Sequence, residues 1–555
     1  MPAASFSLSG RIGRVKHLGY LERSLSRPNQ ARLVFEGALV GLAGGGIVVL
    51  YRMALSGAEK LMRGITGAAA GHPLQILLWF VTLAAVLIIV SKLLLWEPYT
   101  QGSGIPQTDA EAIGRIDMPW YRVMSAKFAE GTLCAFAGLS LGREGPSVML
   151  GGMGGKAVSK ALHKDRDHES LFVTCGAAAG MAAAFHAPLT GVLFAVEEIH
   201  KVFSASLVIT AMASAIMSDF LVSQVLGVRP TLNFALVTNL PHVSYPLVAV
   251  MGIYCGILGA LHNAGMFGCQ ALYGKIKHWV PYSRLAIPFA ISGVIAFTLP
   301  DLMCGGDAII DKLMNPTALT WEAILFLLIG KYLFTTISFA SGAPGGTLFP
   351  LVVMGSLAGA LFCHLANAVG GTSTLYMMNF IYLGIAGLFA AVVRAPVTAI
   401  VLVFELTGSL ENLLSVSIVA MIAFVTANLL KVDAFYEHLL TKLLGNLDPE
   451  IAAQEEHGIA LRTYHVALGS QAENRTVAEL PWPKGSLIVL VERAGERITP
   501  HGTTKLEPTD VITAIVPKSS LLEDDRKIQE LCRPTIFRRD IEGTADADRS
   551  PQDHS

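Results

Sequence analysis

The stretch Gly142-Arg143-Glu144-Gly145-Pro146 sets a carboxylate among glycines inside a long apolar part of the chain. Glycine frees the backbone, and proline suits the first turn of a helix because its missing N–H has no helical partner there anyway. The pattern predicts a helix that begins where a membrane helix should be continuous. Such a helix start points several unpaired N–H groups, with a partial positive charge, at whatever lies in front of it.

Two further motifs repeat this pattern of glycine followed by proline. They are Gly102-Ser103-Gly104-Ile105-Pro106 and Gly345-Gly346-Thr347-Leu348-Phe349-Pro350. If the three helix starts converge on one spot, their backbone N–H groups form an anion site that needs no lysine.

Composition places the chain in the membrane class and excludes several others. Of its 555 residues 52% are hydrophobic and only 15% are charged, whereas soluble proteins carry roughly 25% charged residues. The formal net charge of −1 and the lack of a basic stripe give no indication of a nucleic-acid partner. The seven cysteines are scattered without CxxC spacing, so the sequence predicts no zinc site, no disulfide framework and no cofactor.

Apolar segments follow one another along most of the chain, and many are broken by glycine or proline. Several are shorter or longer than the roughly 20 residues that cross a bilayer once. This pattern favours tilted and half-spanning helices that line a cavity inside protein. The segments lie near 33–55, 73–96, 122–141, 170–196, 205–226, 245–272, 284–299, 321–340, 350–369, 376–393 and 396–430.

An internal repeat is visible in the apolar part. The segment from Ala187 to Glu197 matches the segment from Ala395 to Glu405, and each copy follows a GxxxP element at a similar distance. Two halves with matching broken helices indicate a substrate site at the interface of the repeats, near the middle of the membrane.

Changes of composition predict four parts of the chain. Residues 1–32 form a basic arm without the apolar core of a signal peptide, and we expect this arm on the cytoplasmic side. Residues 33–445 form the transmembrane domain. Residues 464–532 form a small α+β domain with a short helix at 477–480 and strands at 486–491 and 511–516. Residues 533–555 form a polar tail that we expect to be disordered.

The three ordered motifs resemble those of the CLC family of chloride channels and chloride/proton exchangers, and the likeness covers residues 33–445. The segment 464–517 resembles the C-terminal regulatory module of RCK/TrkA-type potassium-transport subunits. The resemblance implies an all-α polytopic membrane protein with an internal inverted repeat and broken helices, followed by a small cytoplasmic α+β domain. It also implies a homodimer with an interface at 187–226 and 396–430, and a C-terminal domain that responds to a small cytoplasmic ligand.

The family's central chloride is held by a serine hydroxyl, a tyrosine hydroxyl and backbone amides. The resemblance carries these roles to Ser103, to Tyr436, and to the amides of Thr347 and Leu348. Relatives often have isoleucine and phenylalanine at the last two positions; the backbone amides survive such changes. Neutral donors suit this task because they desolvate an anion and still release it.

Two glutamates are candidates for proton transfer. A carboxylate at a buried helix start is costly unless it is neutralised or used, so Glu144 is expected to act as outer gate and proton acceptor. The family's exchangers carry an inner proton-transfer glutamate at the position of Glu198, for which a solvated helix end is the alternative. Glu197 has the counterpart Glu405 in the second repeat and is therefore interpreted as architectural.

The leading functional hypothesis is chloride/proton antiport in a bacterial inner membrane, with both termini cytoplasmic. A passive, gated chloride channel of the same fold is the alternative. A potassium channel is suggested only by the C-terminal module, and no TVGYG-like filter is present. No nucleophile triad or P-loop suggests an enzyme. Ser103 favours chloride over nitrate, because nitrate-selective relatives carry proline there.

Overall fold

The computed structural model describes residues 27–201, 203–227, 240–314, 319–408, 412–447, 459–493, 496–517 and 520–534. The chain divides into two compact units, of which the first ends at Leu443 and the second begins at Leu444. Most of the predicted basic arm (1–32) and of the predicted tail (533–555) lies outside the described residues.

The first unit is built from helices, and the last of them continues past Leu443. They are α1 (Arg27–Ala69), α2 (Pro73–Trp96), α3 (Ile105–Ala112), α4 (Trp120–Phe136), α5 (Glu144–Ala161), α6 (Arg166–Phe185), α7 (Pro188–Phe194), α8 (Ala205–Leu226), α9 (Tyr245–Gly274), α10 (Tyr282–Thr298), α11 (Asp307–Leu313), α12 (Trp321–Ala340), α13 (Leu348–Ala368), α14 (Met377–Val393), α15 (Pro396–Thr407), α16 (Leu413–Leu429) and α17 (Phe435–Leu447). A π-helical turn, Ala195–His200, continues α7.

Within the described part of the chain, seven helices are long and apolar enough to cross a membrane. The apolar windows of α13 and of α14 with its preceding turn are 89% and 94% buried inside the protein, whereas that of α2 is 28% buried. Helices α13 and α14 therefore form the centre of the unit, and α2 turns most of its surface outward.

All three glycine-proline motifs begin helices, as predicted. Helix α3 starts directly after Gly104, α5 starts at Glu144 and α13 starts at Leu348. Gly104 has a φ of 99°, a left-handed conformation that is open to glycine at little steric cost. The side chain at this position is further limited because a Cβ would lie 2.9 Å from the Met149 Cβ.

The two halves repeat the same local structure. A short 3₁₀ turn, Pro98–Thr100, precedes α3, and a second one, Pro300–Leu302, precedes α11. Gly306, directly before α11, has a φ of 104° and corresponds to Gly104. The repeat therefore includes a counterpart of the Ser103 motif, which the sequence comparison of the two halves did not reveal because few side chains are shared.

Glycines allow the same close helix contact in each half. A Cβ on Gly176 of α6 would lie 2.2 Å from the carbonyl oxygen of Gly151 of α5. A Cβ on Gly384 of α14 would lie 2.2 Å from the carbonyl oxygen of Gly355 of α13. Small residues at such crossings let helix backbones approach closely, which is how helices commonly pack in membranes.

Glu197 and Glu405 join the two halves reciprocally. The Glu197 carboxylate accepts hydrogen bonds from the Thr398 N–H at 2.8 Å and the Thr398 hydroxyl at 2.7 Å. The Glu405 carboxylate accepts them from the Thr190 N–H at 2.7 Å and the Thr190 hydroxyl at 2.6 Å. Each acid thus caps the N-terminus of the other half's helix, so α7 and α15 run in opposite directions, as an inverted repeat requires.

Two predicted apolar segments are each divided. The segment 170–196 breaks at His186, which has a φ of 58° and is followed by Pro188 at the start of α7. The segment 396–430 breaks at Gly408, which has a φ of 66° and ends α15. Hydropathy alone does not reveal these breaks, because the apolar composition continues across them.

The second unit contains a four-stranded antiparallel sheet in the order β1-β4-β2-β3, formed by β1 (Ile459–His465), β2 (Leu487–Arg493), β3 (Glu496–Ile498) and β4 (Val511–Pro517). Helix α18 (Leu521–Cys532) follows the sheet. The two predicted strands correspond to β2 and β4. The predicted helix at 477–480 is a 3₁₀ turn, Val477–Glu479. The prediction missed β1, which begins before residue 464, as well as β3 and α18.

An ion pair between Arg493 and the buried carboxylate of Asp510 holds the end of β2 in the second unit. The Arg493 guanidinium donates hydrogen bonds to both Asp510 oxygens, at 2.8 and 2.7 Å, and to Glu507 at 2.7 Å. Burial by itself raises the pKa of Asp510, but its hydrogen bonds from Arg493 and from the Glu507 N–H bring the pKa below its ordinary value. The Asp510 carboxylate therefore stays charged and tied to Arg493 at neutral pH.

Candidate functional site

Backbone hydrogen bonds bring the three motifs together. The Gly142 N–H donates to the Gly346 carbonyl at 2.7 Å, and the Gly346 N–H donates back to the Gly142 carbonyl at 2.7 Å. The Gly345 N–H donates to the Gly102 carbonyl at 3.0 Å. The N-terminal ends of α3, α5 and α13 therefore meet inside the unit, as the motif argument predicts.

A buried lysine fixes the loop that carries Ser103. Lys127 of α4 is 0% exposed, and its amino group donates to the carbonyl oxygens of Thr100 at 2.7 Å and Gly102 at 2.6 Å. Lys331 of α12 makes the equivalent contacts in the second half, with the carbonyls of Leu302 at 3.1 Å and Cys304 at 2.7 Å. Sequence analysis missed both lysines, although they stand equally far before residues 144 and 348.

Glu144 lies at the first position of α5 and is 0% exposed. Its Oε2 accepts a hydrogen bond of 3.1 Å from the N–H of Phe349, in the first turn of α13. Its Oε1 has no hydrogen-bond partner among the described residues and lies 3.8 Å from the Arg143 Nε. The carboxylate thus sits at a helix N-terminus, where an anion is stabilised by unpaired N–H groups.

The amide that meets Glu144 belongs to a residue that sequence analysis did not name. The predicted anion-binding amides are those of Thr347 and Leu348, and Phe349 follows them directly. Thr347 is the residue before α13, and Leu348 is its first residue, so both backbone N–H groups belong to the same helix start. The N–H of Phe349 could also have been predicted from the sequence as an anion-binding group, because the first several N–H groups of a helix all lack helical partners.

Ser103 and Tyr436 present buried hydroxyls without partners. Both side chains are 2% exposed, and neither the Ser103 Oγ nor the Tyr436 Oη has a hydrogen-bond partner among the described residues. The Tyr436 hydroxyl lies near the hydroxyls of Ser103 and Thr347. A buried hydroxyl without a partner is unfavourable. Converging donors of this kind suit a small anion as the missing partner.

Gly145 brings Ser103 close to the start of α13. A Cβ on Gly145 would lie 2.3 Å from the Ser103 Oγ and 3.2 Å from the Gly346 Cα. The absence of a side chain at this position therefore allows all three motifs to approach one another.

Glu198 lies in the π-helical turn that follows α7 and is 6% exposed. Such turns are frequent at functional sites. The charged groups with the largest electrostatic effect on its carboxylate are Lys201, Asp109 and Glu437. Phe194, one turn earlier, contacts Tyr436 edge to face, with 6.4 Å between the ring centroids.

Glu144 also lines a cavity of about 240 Å³. Helix α1 contributes Tyr51 and Glu59, the segment before α11 contributes Gly305, and the first residue of α11 contributes Asp307. Arg143 also lines it, with its guanidinium 5.3 Å from the centroid of the Phe349 ring. Sequence analysis did not single out Glu59 or Asp307, because no motif surrounds either residue.

Three acids lie close enough to hold a cation, but a lysine occupies their centre. Ligand atoms of Glu111, Asp117 and Glu169 lie within 4.8 Å of one another. The Lys156 amino group forms ion pairs with all three, including one of 2.5 Å to Asp117 and one of 3.8 Å to Glu169. The cluster is an ion-pair network around the buried Lys156, because the lysine already supplies the positive charge.

The fold and the meeting of three helix starts define the class of the protein. Residues 83–428 match the voltage gated chloride channel family, and residues 461–526 match the TrkA-C domain. The chain belongs to the voltage gated chloride channel family and is a multi-pass integral membrane protein. The predicted resemblance to both families is confirmed.

Among individual relatives, the chain is 30% identical over 466 residues to the H(+)/Cl(−) exchange transporter ClcA of Salmonella agona, covering 82% of this chain and 98% of the relative. The ClcA of Citrobacter koseri is also 30% identical, over 463 residues. A slow cyanobacterial Cl−/H+ antiporter of known structure is 26% identical with a TM-score of 0.70, covering 75% of this chain and 98% of that chain. A eukaryotic CLC transporter shares the fold at 22% identity, with a TM-score of 0.60.

Replacing Gly145 by alanine tests the approach of the three motifs. We expect Gly145→Ala to push the Ser103 loop away from α13, since overpacking costs roughly 1–3 kcal/mol. Chloride efflux from proteoliposomes should fall relative to the native protein. Gly57→Ala is the matched control, because a Cβ on Gly57 would meet no heavy atom within 4 Å. Equal efflux rates for the two variants would contradict this account of the site.

Proposed function

We propose that the protein exchanges chloride for protons across the membrane. The observation that carries the proposal is the position of Glu144, a fully buried carboxylate bound to the Phe349 N–H at the start of α13. A chloride ion and a charged Glu144 compete for the same N–H groups. Protonation removes the charge and releases the side chain, which links proton uptake to opening of the anion site.

The central chloride is proposed to lie between Ser103, Tyr436 and the start of α13. Both hydroxyls are buried without partners, and the N–H groups of Thr347 and Leu348 belong to the same helix start. These donors are neutral, so they replace part of the hydration shell without trapping the ion. The buried amine of Lys127 acts indirectly, because it is bonded to backbone carbonyls.

Glu198 is proposed to transfer protons between Glu144 and the cytoplasm. Its side chain is buried in the π-helical turn, and charged groups on α3 and α17 act on its carboxylate. Buried ionisable residues in membrane proteins commonly mark proton relays. Glu197 has no such role in this proposal, because both its oxygens serve the start of α15.

Relatives support exchange over passive conduction. The ClcA proteins are described as exchange transporters, and the cyanobacterial structure as an antiporter. A passive channel of the same fold is the second candidate. A reversal-potential measurement in liposomes under opposed chloride and proton gradients distinguishes them, because only coupled exchange depends on both gradients.

We propose a bacterial inner membrane as the location, with both termini in the cytoplasm. The basic residues of segment 1–32 support this orientation, since Lys and Arg near the first span favour the cytoplasmic side. An accessibility measurement with a membrane-impermeant thiol reagent, on single cysteines placed in either terminus, tests the orientation. Labelling of intact cells would contradict it.

Removing either proton-transfer acid should uncouple chloride flux from proton flux. Glutamine matches the size of the protonated acid but carries neither proton nor charge. We expect Glu144→Gln to lose proton transport while chloride flux continues at every pH. Glu198→Gln should also lose proton transport, with the outer gate still sensitive to pH. Parallel recordings of chloride efflux and proton uptake from proteoliposomes measure both, and undiminished proton transport by Glu144→Gln would remove the core of the mechanism.

We further propose a homodimer in which each subunit holds a complete pathway. All the proposed site residues belong to one chain, and α8 and α16 expose Ile216, Phe220, Leu414 and Met421. Their related positions in the two halves suit a two-fold symmetric contact.

A bulky substitution on α8 tests the dimer. Tryptophan is tolerated against lipid but not within a packed interface. We expect Ile216→Trp to shift the purified protein from dimer to monomer in light scattering. Ile88→Trp, on the exposed face of α2, is the control. A native protein that is monomeric in mild detergent and in lipid would contradict the proposal.

The C-terminal domain is proposed to regulate transport by binding a small cytoplasmic ligand. Its match to the TrkA-C domain supports this role. A ligand that binds two states with different affinity shifts the balance between them. We expect a chain that ends at residue 448 to retain measurable chloride transport. A truncated protein that folds and inserts but transports nothing would show that the domain is needed for transport itself.

A further inference from the structure

Glu144 has no direct contact with bulk solvent. The side chain is 0% exposed, and only its Oε1 is without a hydrogen-bond partner among the described residues. The cavity that Glu144 lines has a volume of about 240 Å³. One water needs roughly 10–15 Å³ of such volume, so the cavity accommodates several waters. Protons that reach or leave Glu144 from this side therefore cross the cavity.

Two other carboxylates line the same cavity. Glu59 of α1 is partly buried, and Asp307 at the start of α11 is exposed. The charge of Asp307 acts on both Glu59 and Glu144. The three acids thus share one small, water-accessible space between solvent and the helix start of α13.

Carboxylates at the entrance of a pathway that carries only chloride would hinder the entry of the ion. Negative charge in a confined cleft repels chloride and lowers its local concentration. The same carboxylates attract protons and pass them on by hydrogen bonding through water. Arg143, which lines the cavity beside Glu144, offsets part of the repulsion and keeps the mouth passable for an anion.

Further titratable or charged groups surround these acids. Tyr51 and Cys134 line the cavity, and the charges of Arg52, Arg63 and Lys331 act on its acids. Lys331 is buried and already bonded to the carbonyls of Leu302 and Cys304. Among the groups that line the cavity, only the carboxylates normally gain or lose a proton below pH 7.

We propose that Glu59 and Asp307 are the outer proton-transfer residues, which carry protons between bulk water and Glu144. The inference rests on the proposed function. In the outward direction the protonated Glu144 passes its proton through cavity water to one of these carboxylates, which then releases it to bulk water. The inward direction reverses these steps. Only O–H bonds form and break, so the transfer needs no other reactant.

Removal of the two acids should slow coupled transport without altering its stoichiometry. We expect the double variant Glu59→Gln/Asp307→Asn to lower chloride efflux and proton uptake together, by a factor on the order of ten. The reversal potential should stay at the native value, because Glu144 and Glu198 remain. Asp311→Asn is the matched control, since Asp311 is exposed on the same helix and does not line the cavity. Its fluxes should equal those of the native protein.

Two measurements separate proton transfer from a structural role. A high external concentration of membrane-impermeant buffer should restore coupled flux to the double variant and leave the native protein unchanged. In the Glu144→Gln background, where chloride flux needs no proton, loss of the two acids should leave chloride flux unchanged or faster. An equal loss of chloride flux in that background, or no rescue by buffer, would overturn the inference.

The outcomes also separate this inference from the proposed function. If the native protein couples chloride to protons and the double variant behaves like Asp311→Asn, only the role of Glu59 and Asp307 is wrong. If the native protein moves no protons, the proposed exchange is wrong, and this inference fails with it.

Discussion

The two backbone hydrogen bonds between Gly142 and Gly346 hold two helix starts against each other inside a membrane protein. A helix start leaves N–H groups without partners, and in an apolar surrounding such groups are costly. The protein meets part of this cost by bringing the starts of α5 and α13 together, so that the Phe349 N–H reaches an acceptor on the other helix. A negative charge is then the natural occupant of the space between them, and the carboxylate of Glu144 already lies there.

The inverted repeat makes this arrangement possible. In an inverted repeat, matching helices of the two halves run in opposite directions, so their N-termini can meet from opposite sides near the middle of the membrane. The reciprocal caps of Glu197 and Glu405 tie the two halves together, because each acid satisfies the helix start of the other half. Lys127 and Lys331 stabilise the necks before α3 and α11 in the same symmetric manner. The scaffold is thus symmetric in its structural residues.

The chemistry departs from that symmetry. Glu144 at the start of α5 corresponds to Leu348 at the start of α13, so one half places a carboxylate at its helix start and the other places an apolar side chain there. The cavity acids Glu59 and Asp307 likewise lie only on one side of Glu144. The two sides of Glu144 therefore offer different chemical groups, and the proposed exchange uses this difference to handle protons and chloride separately.

The helix starts, the internal repeat and the end of the membrane unit could be predicted from the sequence alone. The three motifs specified where helices begin, because glycine and proline act locally on the backbone. The matching segments around Glu197 and Glu405 revealed the repeat, and composition marked the end of the membrane unit. Ser103, Glu144, Thr347 and Leu348 were predicted as site residues because they stand inside those motifs, and the structure brings those motifs together.

Only the tertiary structure decided which groups meet. Several contacts join residues far apart in the chain. The Phe349 N–H donates to Glu144, and Lys127 donates to the backbone of the loop that carries Ser103. Glu59 and Asp307 line one cavity. Helix ends at His186 and Gly408 were also hidden, since the apolar composition runs through them. Sequence patterns record local backbone preference and periodicity, whereas contacts between distant segments depend on how the helices pack.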